Sequence, residues 1–108
     1  MSQSDSQAIS VWWLYLNRTR QNTLYAGITT DVEKRFAEHT QGKKGAKYLR
    51  AKGPLTLVYY VCIGSRSLAS KAEYRLKRRR KSQKEQIVTL SPDRHQLLSL
   101  LALIEDKG

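Results

Sequence analysis

The sequence predicts a small α+β domain, a three-stranded sheet covered by helices. Two runs rich in aromatic and β-branched residues stand near the N-terminus with a short polar stretch between them, the pattern of a hairpin. A third apolar run, Leu55 to Ile63, comes later, and the segments around it carry helical spacing and capping signals. The coarse order is β-β-α-α-β-α-α-α. At 108 residues the chain fits one domain, and with 40% hydrophobic residues and nine aromatics it can bury a modest core.

Residues 1 to 8 are small and polar and read as a flexible tail. Val11 to Leu16 and Thr23 to Ile28 form the hairpin, joined by Asn17 to Asn22. With the turn centred near Arg20, Tyr15 and Tyr25 fall opposite each other and two phenols share one face. Thr30-Asp31-Val32-Glu33 matches a capping box, so a helix starts there and runs to Gly42, a residue suited to the left-handed position beyond a C-cap. Val32 and Phe36 mark its buried stripe, and Arg35 and His39, four apart, lie one above the other. Ala46 to Lys52 reads as a short basic turn of helix stopped by Gly53-Pro54, before the third strand. The next helix runs from Ser67 to about Arg80 with Ala69, Ala72 and Leu76 facing inward. Ser82 to Glu85 repeats the capping box, and Ser91-Pro92 opens a last segment, 91–108, whose helix packs through Leu97, Leu98, Leu101 and Ile104.

Glu73 sits at the edge of an inward stripe, and two readings stand at this point. One is a solvent-facing salt bridge to Lys77 at i+4. The other is a functional carboxylate, placed where cations converge or where a divalent metal needs an oxygen ligand.

Charge narrows the function. The net charge is +11, and it is segregated: Lys43 to Lys84 holds fourteen basic residues and one acid, Glu73, while the rest of the chain is net negative by two. A concentrated basic face is the footprint of a phosphate-lined partner, which puts nucleic acid first. Lys43, Lys44, Lys47, Arg50, Arg78, Arg79 and Arg80 are the candidates for backbone contacts, and Tyr48, Tyr59, Tyr60 and Tyr74 are interleaved with the basic residues, either as core or as base-stacking rings. The longest apolar stretch is about half of the ~20 residues that a membrane span needs, and no secretory signal precedes the domain, so a cytoplasmic protein is expected. One cysteine, Cys62, forms no internal disulfide, and with His39 and His95 it makes no zinc set. No Walker, GxGxxG or HExxH pattern occurs.

Taken in order, Trp13-Leu14-Tyr15, Tyr25-Ala26-Gly27, Arg35 with His39, and Glu73 resemble the GIY-YIG nuclease family. Thr29 to Arg35 and Gly42 to Lys47 look like its small stand-alone bacterial members, often called YhbQ-like. The resemblance covers about residues 11 to 90, within a GIY-YIG-like domain over 9–90. It implies a three-stranded antiparallel sheet flanked by helices, and hydrolysis of phosphodiester bonds in DNA, as endonuclease or exonuclease, in repair or processing. It also implies one divalent cation, Mg²⁺ or Mn²⁺, bound by Glu73. Tyr25 is then the general base or nucleophile, with Tyr15 hydrogen-bonding to it or positioning water. Arg35 holds the scissile phosphate, and His39 orients the tyrosine or a phosphate. The first triplet departs from the family in carrying Trp13 where the glycine stands, and no Asn follows Glu73. The alternative is a binding module on the same fold that cleaves nothing. A third reading is a catalytic subunit that relies on a protein partner for targeting.

Overall fold

The computed structural model describes residues 10–41 and 55–103, without the side chains of 39–41. The tail, Gly42, the basic turn at Ala46 to Lys52, Gly53-Pro54 and Ile104 lie outside the described residues. Three strands, β1 (Trp12–Arg18), β2 (Leu24–Thr29) and β3 (Thr56–Gly64), form one sheet in the order β2-β1-β3, antiparallel throughout. Among the described residues four helices accompany it: α1 (Val32–Gln41), α2 (Arg66–Lys77), α3 (Lys81–Leu90) and α4 (Arg94–Leu100). The α+β class and the three-stranded antiparallel sheet predicted above are those of the protein.

The central strand divides the molecule because its side chains alternate between faces. Leu14 and Leu16 point to one face and are fully buried, with Leu24, Tyr59 and Ile63 of the neighbouring strands. Ala69, Ala72 and Leu76 of α2, Ile87 of α3, and Leu97, Leu98 and Leu101 of α4 and its end complete that core. The two alanines leave room for α2 to lie close on the sheet. Trp13, Tyr15 and Asn17 take the opposite face.

All four helix starts differ from expectation, and α2, expected over Ser67 to about Arg80, spans Arg66–Lys77. At α1 the cap is Asp31, whose Oδ1 accepts from the Lys34 N–H at 3.1 Å, and Thr30 takes no such part. At α3 the turn begins two residues before Ser82: Gln83 Oε1 accepts from the Arg80 N–H, and Glu85 is drawn elsewhere. At α4 Asp93 and Gln96 form the reciprocal box, while Ser91, at a left-handed φ of 47°, ends α3 and begins nothing. Ser65 caps α2 by accepting from the Leu68 N–H.

Two polar ties hold the helical layer. The buried Tyr59 hydroxyl donates to the Pro92 carbonyl at 2.7 Å, and burial pushes that phenol's pKa up. Arg18 at the end of β1 makes a two-pronged bridge to Glu85 of α3 at 2.6 and 2.8 Å, and Lys81 reaches the same carboxylate. The Arg18 hydrogen bonds first, then those of Lys81, hold the Glu85 carboxyl at about 2 against an ordinary 4.5. A depressed carboxyl stabilises the fold above its unfolded pKa, and the contribution is lost as pH falls through its folded value. Glu85→Gln therefore lowers the melting temperature at neutral pH, with a gap from wild type that narrows below pH ~4.5 and closes near pH ~2. Thermal denaturation across that range checks it, and a gap constant with pH contradicts it.

Candidate functional site

The hairpin turn sets the geometry. Asn22 adopts φ 69°, a left-handed conformation that Asn tolerates, and the Thr19 carbonyl and hydroxyl take the Asn22 and Thr23 N–H groups. This turn centres on Gln21, one residue later than expected, so Tyr15 pairs with Gly27 and Tyr25 with Asn17. The expectation that the two tyrosines stand directly opposite is thus corrected by two residues. Because the shift is even, both phenols still share one face, as diagonal neighbours.

Gly27 has its place because of Tyr15. A Cβ built on Gly27 would lie 2.5 Å from Tyr15 Cζ and closer still to the hydroxyl, so the ring occupies the space that any side chain would need. The glycine of the second triplet is a steric cradle for the tyrosine of the first. Tyr15 is 5% exposed, and it is held there by a second element: Arg35, on α1, hydrogen-bonds its hydroxyl. Burial raises the Tyr15 pKa, and Arg35 opposes this through its hydrogen bond and its charge. The Glu73 charge also reaches the phenol and raises its pKa further. Tyr15 is therefore a protonated phenol at neutral pH, suited to donating and positioning.

Arg35 is half-exposed and pairs with Glu38, 3.3 Å away at i+3. Its guanidinium retains donors beyond those two contacts. Glu73 sits on α2 one residue after the buried Ala72, and its carboxylate meets Lys77 at 3.1 Å. The salt bridge expected from the spacing is present. Its side chain is 24% exposed, open enough to bind a cation from solvent. No group of three or more His, Cys, Asp or Glu side chains gathers among the described residues. A single carboxylate still fits Mg²⁺, which keeps several waters and completes its shell with substrate phosphate.

The structure thus joins Arg35 to Tyr15, brings the Glu73 charge within reach of that phenol and puts Tyr25 on the same face as Tyr15. His39 belongs to α1, but its side chain, with Lys43, Lys44, Lys47, Arg50 and Tyr48, lies outside the described residues. The described arginines of the basic run are not equivalent. Arg79 donates to the Leu100 carbonyl, and Arg75 to those of Leu101 and Ala102, closing the C-terminal end of α4. Arg78 lies over the Tyr74 ring at 5.5 Å, and the Arg80 side chain is exposed. Two features escaped the sequence: the steric role of Gly27, and a pairing of the half-buried Trp13 with the exposed Tyr60 on the tyrosine face. The signal for the second was alternation along β1 and β3, legible only with the register known.

Comparison with known proteins agrees with this geometry. The family model described as the GIY-YIG catalytic domain matches residues 11–86. UPF0213 protein YhbQ of Escherichia coli K12 is 54% identical over 97 residues, spanning 90% of this chain and 96% of that protein. The YhbQ protein of Shigella boydii serotype 18 is 53% identical over the same shares. The solution NMR structure of a UPF0213 protein from Bacillus halodurans is 33% identical and superposes with a TM-score of 0.50, covering 87% of this chain and 99% of that one.

Gly27→Ala forces the Tyr15 ring out of its seat and costs about 1–3 kcal/mol of stability, the range for overpacking. In a Tyr15→Ala background the same substitution costs nothing measurable. Denaturant unfolding of the two singles and the double variant checks this, and additive effects would rule out the steric explanation.

Proposed function

The chain belongs to the GIY-YIG family, and from that premise we propose that it is a metal-dependent DNA nuclease acting in repair or processing. The observation that carries the reading is that Tyr15, on the sheet face that also bears Tyr25, is hydrogen-bonded by Arg35 and feels the charge of Glu73. A net charge of +11 supplies the attraction to a polyanion. No helix among the described residues is long and apolar enough to cross a membrane.

Hydrolysis forms one bond from a water oxygen to phosphorus and breaks one bond to the leaving sugar oxygen, with one proton removed and one delivered. Tyr25, as its phenolate, is the residue assigned to take the proton, because Tyr15 is buried and held protonated, and solvent water returns a proton to the leaving sugar oxygen. Tyr15 donates its hydrogen bond to water or to a non-bridging oxygen. Arg35 receives the scissile phosphate through donors that Tyr15 and Glu38 leave available, and offsets charge that grows in the transition state. Glu73 would hold Mg²⁺ or Mn²⁺, which when bound polarises the phosphate and neutralises the departing oxygen. His39 is assigned to orienting the tyrosine or phosphate, and the cations of residues 43–50 with Arg78 and Arg80 to tracking the DNA backbone.

The Glu73–Lys77 pair is also what the alternative, a non-catalytic binding protein on this fold, would show. One assay separates the two. Labelled single-stranded, duplex and branched DNA is incubated with Mg²⁺, Mn²⁺ or chelator. Cleavage requires the cation, disappears with Glu73→Ala, falls about 10²–10⁴-fold with Tyr25→Phe and about 10²–10³-fold with Arg35→Ala. Salt-sensitive binding without cleavage, equal in all variants, would establish the binding module instead.

A further inference from the structure

One groove takes no part in the chemistry above. It lies between the start of α1 and the tyrosine face of the sheet, and encloses about 390 Å³. Trp13, Tyr60, Val32 and Leu57 supply its apolar walls, and Asp31 and Glu33 its charge. Tyr60 is the direct ladder partner of Tyr15, and Trp13 is the next residue along β1 on the same face. The groove therefore opens on the sheet face that bears Tyr15, one strand across from it. The Trp13 and Tyr60 rings are tilted by 56° with centroids 6.0 Å apart, and Tyr60 is 55% exposed.

The charges say what the groove accepts. Its described lining holds two carboxylates and no cation, so a phosphate is repelled there while a flat neutral group is not. A neighbouring groove does hold cations, Lys34 and Arg35, beside Asp31 and Glu38, and these two offer a phosphate the donors that the first groove lacks. A nucleic acid strand meets both requirements when its backbone follows Lys34 and Arg35 and one base turns toward Tyr60. Aromatic faces hold unstacked bases with about 1–3 kcal/mol each. A base inside a duplex reaches such a ring only after unpairing and unstacking, at a cost of a few kcal/mol.

We propose that the Trp13–Tyr60 groove holds one unpaired DNA base beside the scissile phosphate, so that the substrate class is DNA with an unstacked base at that position. This rests on the nuclease reading for what happens to the phosphate. Asp31 and Glu33 accept hydrogen bonds from exocyclic amino groups, so cytosine and adenine are held better than thymine, which has none.

Binding is measured by fluorescence anisotropy in chelator, where no cation-dependent cleavage intervenes, with a labelled single-stranded oligonucleotide and a blunt duplex at one salt concentration. Tyr60 is exposed, so its variants keep the fold, as circular dichroism checks. Tyr60→Ala weakens single-strand binding about 5- to 150-fold, leaves duplex binding unchanged, and Tyr60→Phe restores the affinity. In a scan of single abasic substitutions, one position weakens binding to wild type and has no effect on Tyr60→Ala. Equal effects of Tyr60→Ala on both DNAs, no effect on either, or a scan without such a position would overturn the proposal. The nuclease reading fails separately: an abasic signature without cation-dependent cleavage removes the enzyme and leaves the base site.

Discussion

The contact between the Tyr15 ring and Gly27 is the constraint on which the site depends. β1 is the central strand, paired on both sides, so its register is fixed twice, once by the hairpin and once by β3. Leu14 and Leu16 must face the core, and this alternation sends Tyr15 to the other face whatever the chemistry there. Once there, a phenol with a glycine beneath it lies down over β2. Its hydroxyl meets Arg35 there, and the Glu73 charge reaches it from α2. Any side chain at position 27 lifts the ring and breaks that meeting.

The abundance of cations conceals a division of labour. Arg18 is committed to Glu85, and Arg75 and Arg79 to the carbonyls that end α4. These arginines do for the helical layer what a larger apolar core does elsewhere: Arg18 ties α3 to the sheet, and Arg75 of α2 and Arg79 just beyond it satisfy the backbone acceptors that end α4. Arg78 is laid on Tyr74, and Arg66 over Trp12 at 5.3 Å. A formal charge of +11 thus overstates the number of cations free to meet a phosphate. Arg35 is the described cation that serves both purposes, since its bond to Tyr15 leaves part of the guanidinium facing outward.

What the sequence disclosed follows from the range of the interactions concerned. The strands and helices were legible because apolar periodicity is local, and Ala69, Ala72, Leu76, Leu97 and Leu98 are buried as that periodicity requires. The helix starts moved by one or more residues because Thr30 and Asp31 are equally able caps, and only their position relative to β2 decides between them. The hairpin register depended on one left-handed residue, Asn22, whose choice no alternation pattern reveals. The site was legible only through resemblance. Tyr15, Arg35 and Glu73 sit on a strand and two helices far apart in the chain, and no spacing rule connects them. Gly27 read as a motif letter until the ring above it gave the reason.

The salt bridge to Lys77 and a metal-binding role for Glu73 are compatible. An i,i+4 pair with a half-exposed lysine is worth about 0.3–0.5 kcal/mol, less than a single good hydrogen bond to a charged group. Such a partner is easily displaced. Meanwhile it gives the carboxylate a partner that a hard cation, which prefers carboxylate oxygen, can replace. The carboxylate's position comes from the other side of the helix, where Ala69 and Ala72 bring the α2 backbone against the sheet and Leu76 locks its rotation. The alanines therefore keep the place, and the lysine is the part that yields when a divalent cation and a phosphate arrive together.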